Sequence, residues 1–255
     1  MHIAVVLKQV PDLVEELEVD SSGTDIDRAW VKMKLNEFDD HALEQAVLLK
    51  ESSGVQVTAL ALDAEGIGQV LYSAVARGAD RALKVEAGEG PFSSRQAAAA
   101  LAAVIKGIAP DLVLTGVQAA DDLFGQTAPF LAAELGWPHV SVVSGVEPAA
   151  STVRVRQEYS GGRMAVLEVD LPAVIGVQAA PRPPRYVPVA RLRQAMAAGP
   201  LETTASSAPE MPSGSAVVAV AKPDRGRGAE MLEGPADEVA ERILALLSDR
   251  GLVRA

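Results

Sequence analysis

Residues Leu112 to Thr127 read LVLTGVQAADDLFGQT, and this stretch decides the fold. An apolar strand ends at Thr115, Gly116 permits close backbone approach, a polar loop follows, and a helix restarts near Gly125. Strand, glycine, loop and helix in that order are half of a βαβ unit. In an open parallel sheet, ligands sit beyond the carboxyl ends of the strands, and the free N–H groups of a helix start attract phosphate. Gln126 and Thr127 fall in the first turn, where an amide and a hydroxyl add donors for an anion. The same residues also read as ordinary turn grammar, with Gly116 making the turn and Asp121 or Asp122 capping the helix.

Working outward, short apolar runs alternate with segments of helical period. Strands are expected at Ile3 to Leu7, Val55 to Leu62, Ala82 to Val85, Leu112 to Thr115 and Ala173 to Val177. Helices are expected at Phe38 to Lys50, Gly66 to Arg77, Ser93 to Lys106 and Gln126 to Leu135, with Gly78 as a C-cap and Ser93 or Ser94 opening the third after Pro91. The alternation predicts an α/β fold, a doubly wound and mostly parallel sheet. Thr152 to Asp170 breaks it: valines alternate with arginines, Ser160-Gly161-Gly162 turns the chain, and the alternation resumes, which predicts an antiparallel hairpin with one buried face. From Gly199 to Gly214 the chain is rich in Pro, Ser, Thr and Ala and reads as a linker. Beyond it Ala216 to Val220 is a candidate strand and Asp237 to Ser248 an amphipathic helix. Residues 1–199 are therefore expected to form the body and 200–255 a linker and arm. Such an arm is too small to build its own core, so it must dock on its own body or on another chain.

Composition removes whole classes of function. The chain of 255 residues carries 34 acidic against 23 basic side chains, a net charge of -11, which argues against nucleic acid as a partner. With 49% hydrophobic and 22% charged residues it has the balance of a globular protein. No cysteine is present, which excludes disulfides, thiolate nucleophiles and Cys-based metal sites. No apolar run reaches the ~18 residues of a membrane span, and the opening MHIAVVLKQV enters a strand pattern without a cleavable signal; no membrane insertion and a cytoplasmic location are expected.

Other strand ends add to the first. Lys8 and Gln9 close the opening strand, Asn36-Glu37-Phe38-Asp39 opens the first helix, and Leu62 to Gly66 joins another strand to its helix. Three such junctions on one sheet edge surround a single crevice. Asn36 with Asp39 three residues later also resembles a capping box, and Lys8 reads equally as a solvated strand end. Hydrolytic chemistry finds little support: Asp121 and Asp122 are adjacent and need not face one another, and His2, His41 and His139 match no metal spacing. No nucleophile elbow, Walker lysine loop or dinucleotide fingerprint is present. No catalytic or metal-binding residue is expected; a pocket without nucleophile or base binds rather than turns over.

These residues carry a family resemblance. VLKQVPD (6–12), LNEFDDHALEQAVLLKE (35–51), VARGADRALKVE (75–86), GVQAADDLFGQTAPFLAAELGWP (116–138), DLPAVIGV (170–177) and APRPPRYVPVARLRQA (180–195), in this order and spacing, resemble the beta subunit of electron transfer flavoprotein over nearly the whole chain. The resemblance implies an adenine nucleotide α-hydrolase-like fold and a non-enzymatic electron carrier, one half of a heterodimer. It also implies AMP in the crevice and an FAD held mainly by the alpha subunit. Its partners would be the alpha subunit, flavin dehydrogenases and a membrane quinone oxidoreductase, with the cofactor doing the chemistry. The nucleotide contacts fall by alignment on Val6, on Asn36, Glu37, Phe38 and Asp39, and on Leu62. They continue along Gly116, Val117, Gln118, Ala119, Ala120, Asp121, Asp122, Leu123, Phe124, Gly125, Gln126 and Thr127. Partner docking falls on Arg185, Tyr186, Val189, Arg191 and Arg193. The chain departs from the family's usual pattern at the bulky Leu123-Phe124, and at Val189, Arg191 and Arg193, where a Leu and lysines are usual; Thr127 favours AMP. A bifurcating form with a second FAD, and a stand-alone adenine-nucleotide enzyme or sensor, are the alternatives.

Overall fold

The computed structural model describes every residue except 15, 30, 89, 91, 123, 208, 210–216, 224–225, 227 and 254–255. The first half of the chain gives β1 (His2–Val6), β2 (Gln9–Pro11), β3 (Met33–Leu35), α1 (Glu37–Ser53), β4 (Gln56–Leu62), α2 (Ile67–Arg77), β5 (Arg81–Glu86), α3 (Ser94–Ile108) and β6 (Leu112–Gly116). Then come α4 (Thr127–Leu135), β7 (His139–Pro148), β8 (Thr152–Tyr159), β9 (Arg163–Asp170), β10 (Ala173–Val177), α5 (Val189–Ala197), β11 (Glu202–Ala205) and α6 (Ala236–Asp249).

Among the described residues one large sheet runs in the order β11-β5-β4-β1-β6-β10-β7-β8-β9. All pairs from β11 to β7 are parallel, and β8 and β9 extend the sheet antiparallel as the expected hairpin. The central strands are mostly apolar on both faces because both are covered, with Thr58 and Thr115 as buried polar exceptions. Ile3 and Val5 of β1 point into one core with α1 and α2 residues such as Leu43 and Leu71. Ala4 and Val6 point into a second core with Leu101 and Ile105 of α3 and Leu131 of α4. Local signals set the helix ends: Ser93 and Gln96 make a capping box on α3. Gly78 closes α2, donating its N–H to Ala74 and Val75 carbonyls.

Four features depart from the sequence expectation. Strand β7 was not foreseen; its register shifts between Val143 and Gly145, so the two-residue alternation changes face midway and hides the period. A small antiparallel pair, β2 with β3, precedes α1. The stretch expected as a linker carries β11, which adds to β5 with Glu202 ion-paired to Arg81; Leu201 packs on the core and Ser206 hydroxyl reaches Ala100 carbonyl at 2.8 Å. Finally, residues 217–220 form no strand: Val220 donates its N–H to Gly23 carbonyl, while Val217 and Val218 stay exposed. Ala216 and Pro91 lie outside the described residues.

The strand β1 has β4 on one side and β6 on the other, and chain order reverses there. That reversal is the topological switch point of an open sheet, where helices leave in opposite directions and a crevice opens beyond the strand ends.

Candidate functional site

The crevice opens where β1 and β6 end. Val6, Lys8, Asn36, Asp39, Thr115, Gly116, Val117, Gln118, Ala119, Asp122, Gly125, Thr127 and Ala128 line it. Of the residues expected from sequence, Val6, Asn36, Asp39, the 116–119 run, Asp122, Gly125 and Thr127 are thus brought together. Glu37 and Asp121 are exposed on its rim and Phe38 is half-buried behind Gly116. Leu62 packs into the second core, and Phe124 projects into solvent, 89% exposed. Ala120 is half-buried, and Gln126 turns its amide back to the Phe124 carbonyl at 2.9 Å. Leu123 lies outside the described residues. The sequence reading missed Thr115 and Ala128 and left Lys8 open; their position one residue inside a strand end and a helix start was the available signal.

Two glycines allow this convergence. A side chain on Gly116 would collide with Phe38 and with the Asp39 backbone and carboxylate, so the first turn of α1 can touch the end of β6 only at a glycine. Gly125 sits at φ 60°, and a Cβ there would strike the Val117 carbonyl.

Asn36 does not cap α1 with its side chain. Its Nδ2 instead donates to the Gln118 carbonyl at 2.9 Å, which ties the start of α1 to the loop after β6. The capping-box reading of Asn36 is corrected accordingly. Asp39 accepts the Gly116 N–H at 2.9 Å from a position only 6% exposed. Burial pushes its carboxyl up to about 7, against the pull of hydrogen bonds from Asn36 and Gly116 and the nearby Lys8. Across the mouth, Lys8 Nζ pairs with Asp121 at 2.7 Å.

The helix start itself is filled from within. Asp122 Oδ2 accepts the N–H groups of Gln126 at 3.0 Å and Thr127 at 3.2 Å and the Thr127 hydroxyl at 3.0 Å. The sequence left Asp121 and Asp122 as equal capping candidates; the structure assigns the cap to Asp122 and the ion pair to Asp121.

The Pro/Arg segment lies apart from the crevice. Arg185 is engaged on α1: its backbone N–H and guanidinium reach the carboxylate of Glu44, and the guanidinium also pairs with Glu51. Glu44 is 2% exposed. This contact turns Arg185, expected from the resemblance as a docking residue, toward the body as the anchor of the segment; its acidic partners, 141 and 134 positions away, were not legible in the sequence. Tyr186, Val189, Arg191 and Arg193 are exposed around the start of α5. The histidines serve local bonding: His2 with Thr58, His139 with Ser141, and His41 with the Ala180 N–H. No helix among the described residues is long and apolar enough to cross a membrane.

A mostly parallel sheet with helices on both faces and a glycine-bordered crevice at its switch point defines an open, doubly wound α/β protein. The family model of the electron transfer flavoprotein domain matches residues 24–221. The electron transfer flavoprotein subunit beta of Methylophilus methylotrophus is 34% identical over 98% of either chain. That of Syntrophomonas wolfei is 34% identical over 82% of either chain, and the mitochondrial one of Oryza sativa subsp. japonica is 31% identical over 95% of this chain and 97% of its own. The chain belongs to the electron transfer flavoprotein beta-subunit family.

Proposed function

We propose that this chain is the beta half of a heterodimeric electron carrier, that it holds AMP in the β1/β6 crevice, and that it helps an alpha subunit hold FAD. The carrying observation is the coincidence of two independent lines: family membership along nearly the whole chain, and a built crevice at the strand ends. In this reading the 116–127 loop wraps the adenosine, and the donors around Gly125 to Thr127 serve the phosphate. Helix α6, which buries none of its own residues, docks on the alpha subunit as part of an arm from residue 200 onward. The exposed Tyr186, Val189, Arg191 and Arg193, held in place by the Arg185 anchor, meet flavin dehydrogenases, and electrons pass on to a membrane quinone oxidoreductase. The flavin supplies the redox chemistry; the residues of this chain bind and position. The complex works in the cytoplasm.

The test is to co-express the chain with an alpha subunit, denature the purified complex and identify what is released. AMP and FAD in equal amounts are expected. Two FAD per complex would replace AMP by a second flavin, and ATP consumption without flavin would overturn the carrier reading in favour of an enzyme.

A further inference from the structure

The donors that the proposed phosphate needs are already in use. The N–H groups of Gln126 and Thr127 and the Thr127 hydroxyl all point to the Asp122 carboxylate, so the chain supplies its own anion to the start of α4. We propose that Asp122 is a displaceable internal anion: a ligand's phosphate enters the crevice by exchange with this carboxylate, and the charge of the ligand decides whether the exchange is favourable. The proposal rests on the nucleotide reading of the crevice given above.

Three observations make the exchange physically reasonable. The contacts that hold Asp122 are local. Its backbone closes a tight turn with Ala119, through bonds of 3.0 and 3.3 Å, and its side chain can rotate out without breaking any pairing of the sheet. The neighbouring Phe124 is solvent-exposed, so its ring does not clamp the loop to the core. Lys8, which lines the same cavity, is ion-paired at the mouth with the half-exposed Asp121 at 2.7 Å, and an incoming anion can take over that surface pairing as it enters.

The charge requirement follows from the electrostatics of a helix start, which attracts an anion in proportion to its charge. A carboxylate bears one negative charge. A terminal phosphate bears about 1.5 to 2 at neutral pH and replaces it with a gain. A phosphodiester, with one charge, exchanges with little gain. A neutral nucleoside leaves Asp122 where it is. Asp122 thus acts as a specificity-determining residue, admitting a nucleoside monophosphate by a threshold that a bare helix start would not impose.

The full-length chain freed of bound nucleotide, titrated calorimetrically with adenosine, AMP and the AMP methyl ester, tests this. In the native chain AMP should bind more tightly than both others, and the methyl ester should match adenosine within about twofold. Asp122→Asn should tighten AMP and the methyl ester alike, by up to about tenfold, the scale of removing one negative charge from a helix start while keeping a neutral cap, and leave adenosine unchanged. Asp122→Ser, a short neutral cap, should give the same pattern. Equal affinities in native and variant chains, or a weaker grip on AMP in the variants, would overturn the exchange while leaving the nucleotide site standing. If the native chain binds none of the three, the nucleotide reading falls and this proposal with it.

Discussion

Helices α1 and α6 both carry apolar residues at helical spacing among charged ones, yet the protein treats them in opposite ways. Helix α1 buries Asp39, Ala42, Leu43, Glu44, Gln45, Ala46, Val47 and Leu49. Helix α6 buries nothing, and its Ile243, Leu244 and Leu246 remain 45, 58 and 41% exposed. An amphipathic period states that a face wants cover. It does not state whose surface supplies it. The polar residues that α1 takes inside separate the cases further: Asp39 holds the end of β6 and Glu44 holds Arg185, so the buried helix is also the one that wires the crevice and the Pro/Arg segment together.

The largest effects break this contrast directly. Leu43→Ala should cost about 3 to 5 kcal/mol, because the fully buried site cannot collapse around the void. Leu244→Ala in α6 should change the stability of the isolated chain by less than about 0.5 kcal/mol. Denaturant unfolding of the two variants side by side checks the pair. A comparable loss in both would mean that α6 packs on its own body in solution.

The next concerns the carboxyl that α1 buries. Asp39 in the folded chain titrates near 7, above its ordinary value of 3.8, so the folded state holds the proton more tightly than the unfolded one. The sign follows: its contribution to stability is most favourable below about pH 4 and is lost as the pH rises to about 7. Asp39→Asn should remove that loss and gain up to about 4 kcal/mol over the native chain at pH 8, with no gain at pH 4. Melting curves at the two pH values measure it. A gain of equal size at both would place the effect in packing rather than in charge.

Glu44→Gln should have a smaller effect, about 1 to 3 kcal/mol, since a charge-assisted contact with Arg185 becomes a neutral one and the guanidinium keeps Glu51. Limited proteolysis between Pro181 and Pro188 should speed up in step. A stable variant with unchanged cleavage would show that the prolines alone fix the segment.

Much of the body could be read from the chain because the central strands β1, β4, β6 and β10 are short, predominantly apolar runs and helices such as α2 and α3 carry legible end signals at Gly78 and Ser93. Strand β7 could not, since its bulge reverses which face the odd positions occupy. Strand β11 hid inside a composition rich in Ser, Thr and Pro, because an edge strand is held by backbone bonds to β5 and needs little apolar side chain. In the crevice, the strand ends and the loop of glycines were visible as a pattern. The roles of Asn36 and Asp122 were not, because each depends on which of two adjacent or equivalent bonds forms: Asn36 reaches a carbonyl 82 positions away instead of capping its own helix, and one of two neighbouring aspartates takes the cap.

The smallest structural effect, and the one that sharpens the comparison, belongs to α5. It buries no residue of its own, like α6, yet it lies against α2 and follows the Arg185 anchor. Val189 is its first residue and is 55% exposed. An aspartate at the first position of a helix is electrostatically welcome, so Val189→Asp should leave the melting temperature, the flavin and the nucleotide content of the complex unchanged. On a docking surface the same change places a charge where a small apolar anchor stood among Arg191 and Arg193. Electron transfer from a reduced flavin dehydrogenase, followed by stopped-flow, should then slow by about tenfold, equivalent to roughly 1.4 kcal/mol of lost contact. A variant that keeps its cofactors and its native rate would place α5 with the body rather than with the partner-facing surface.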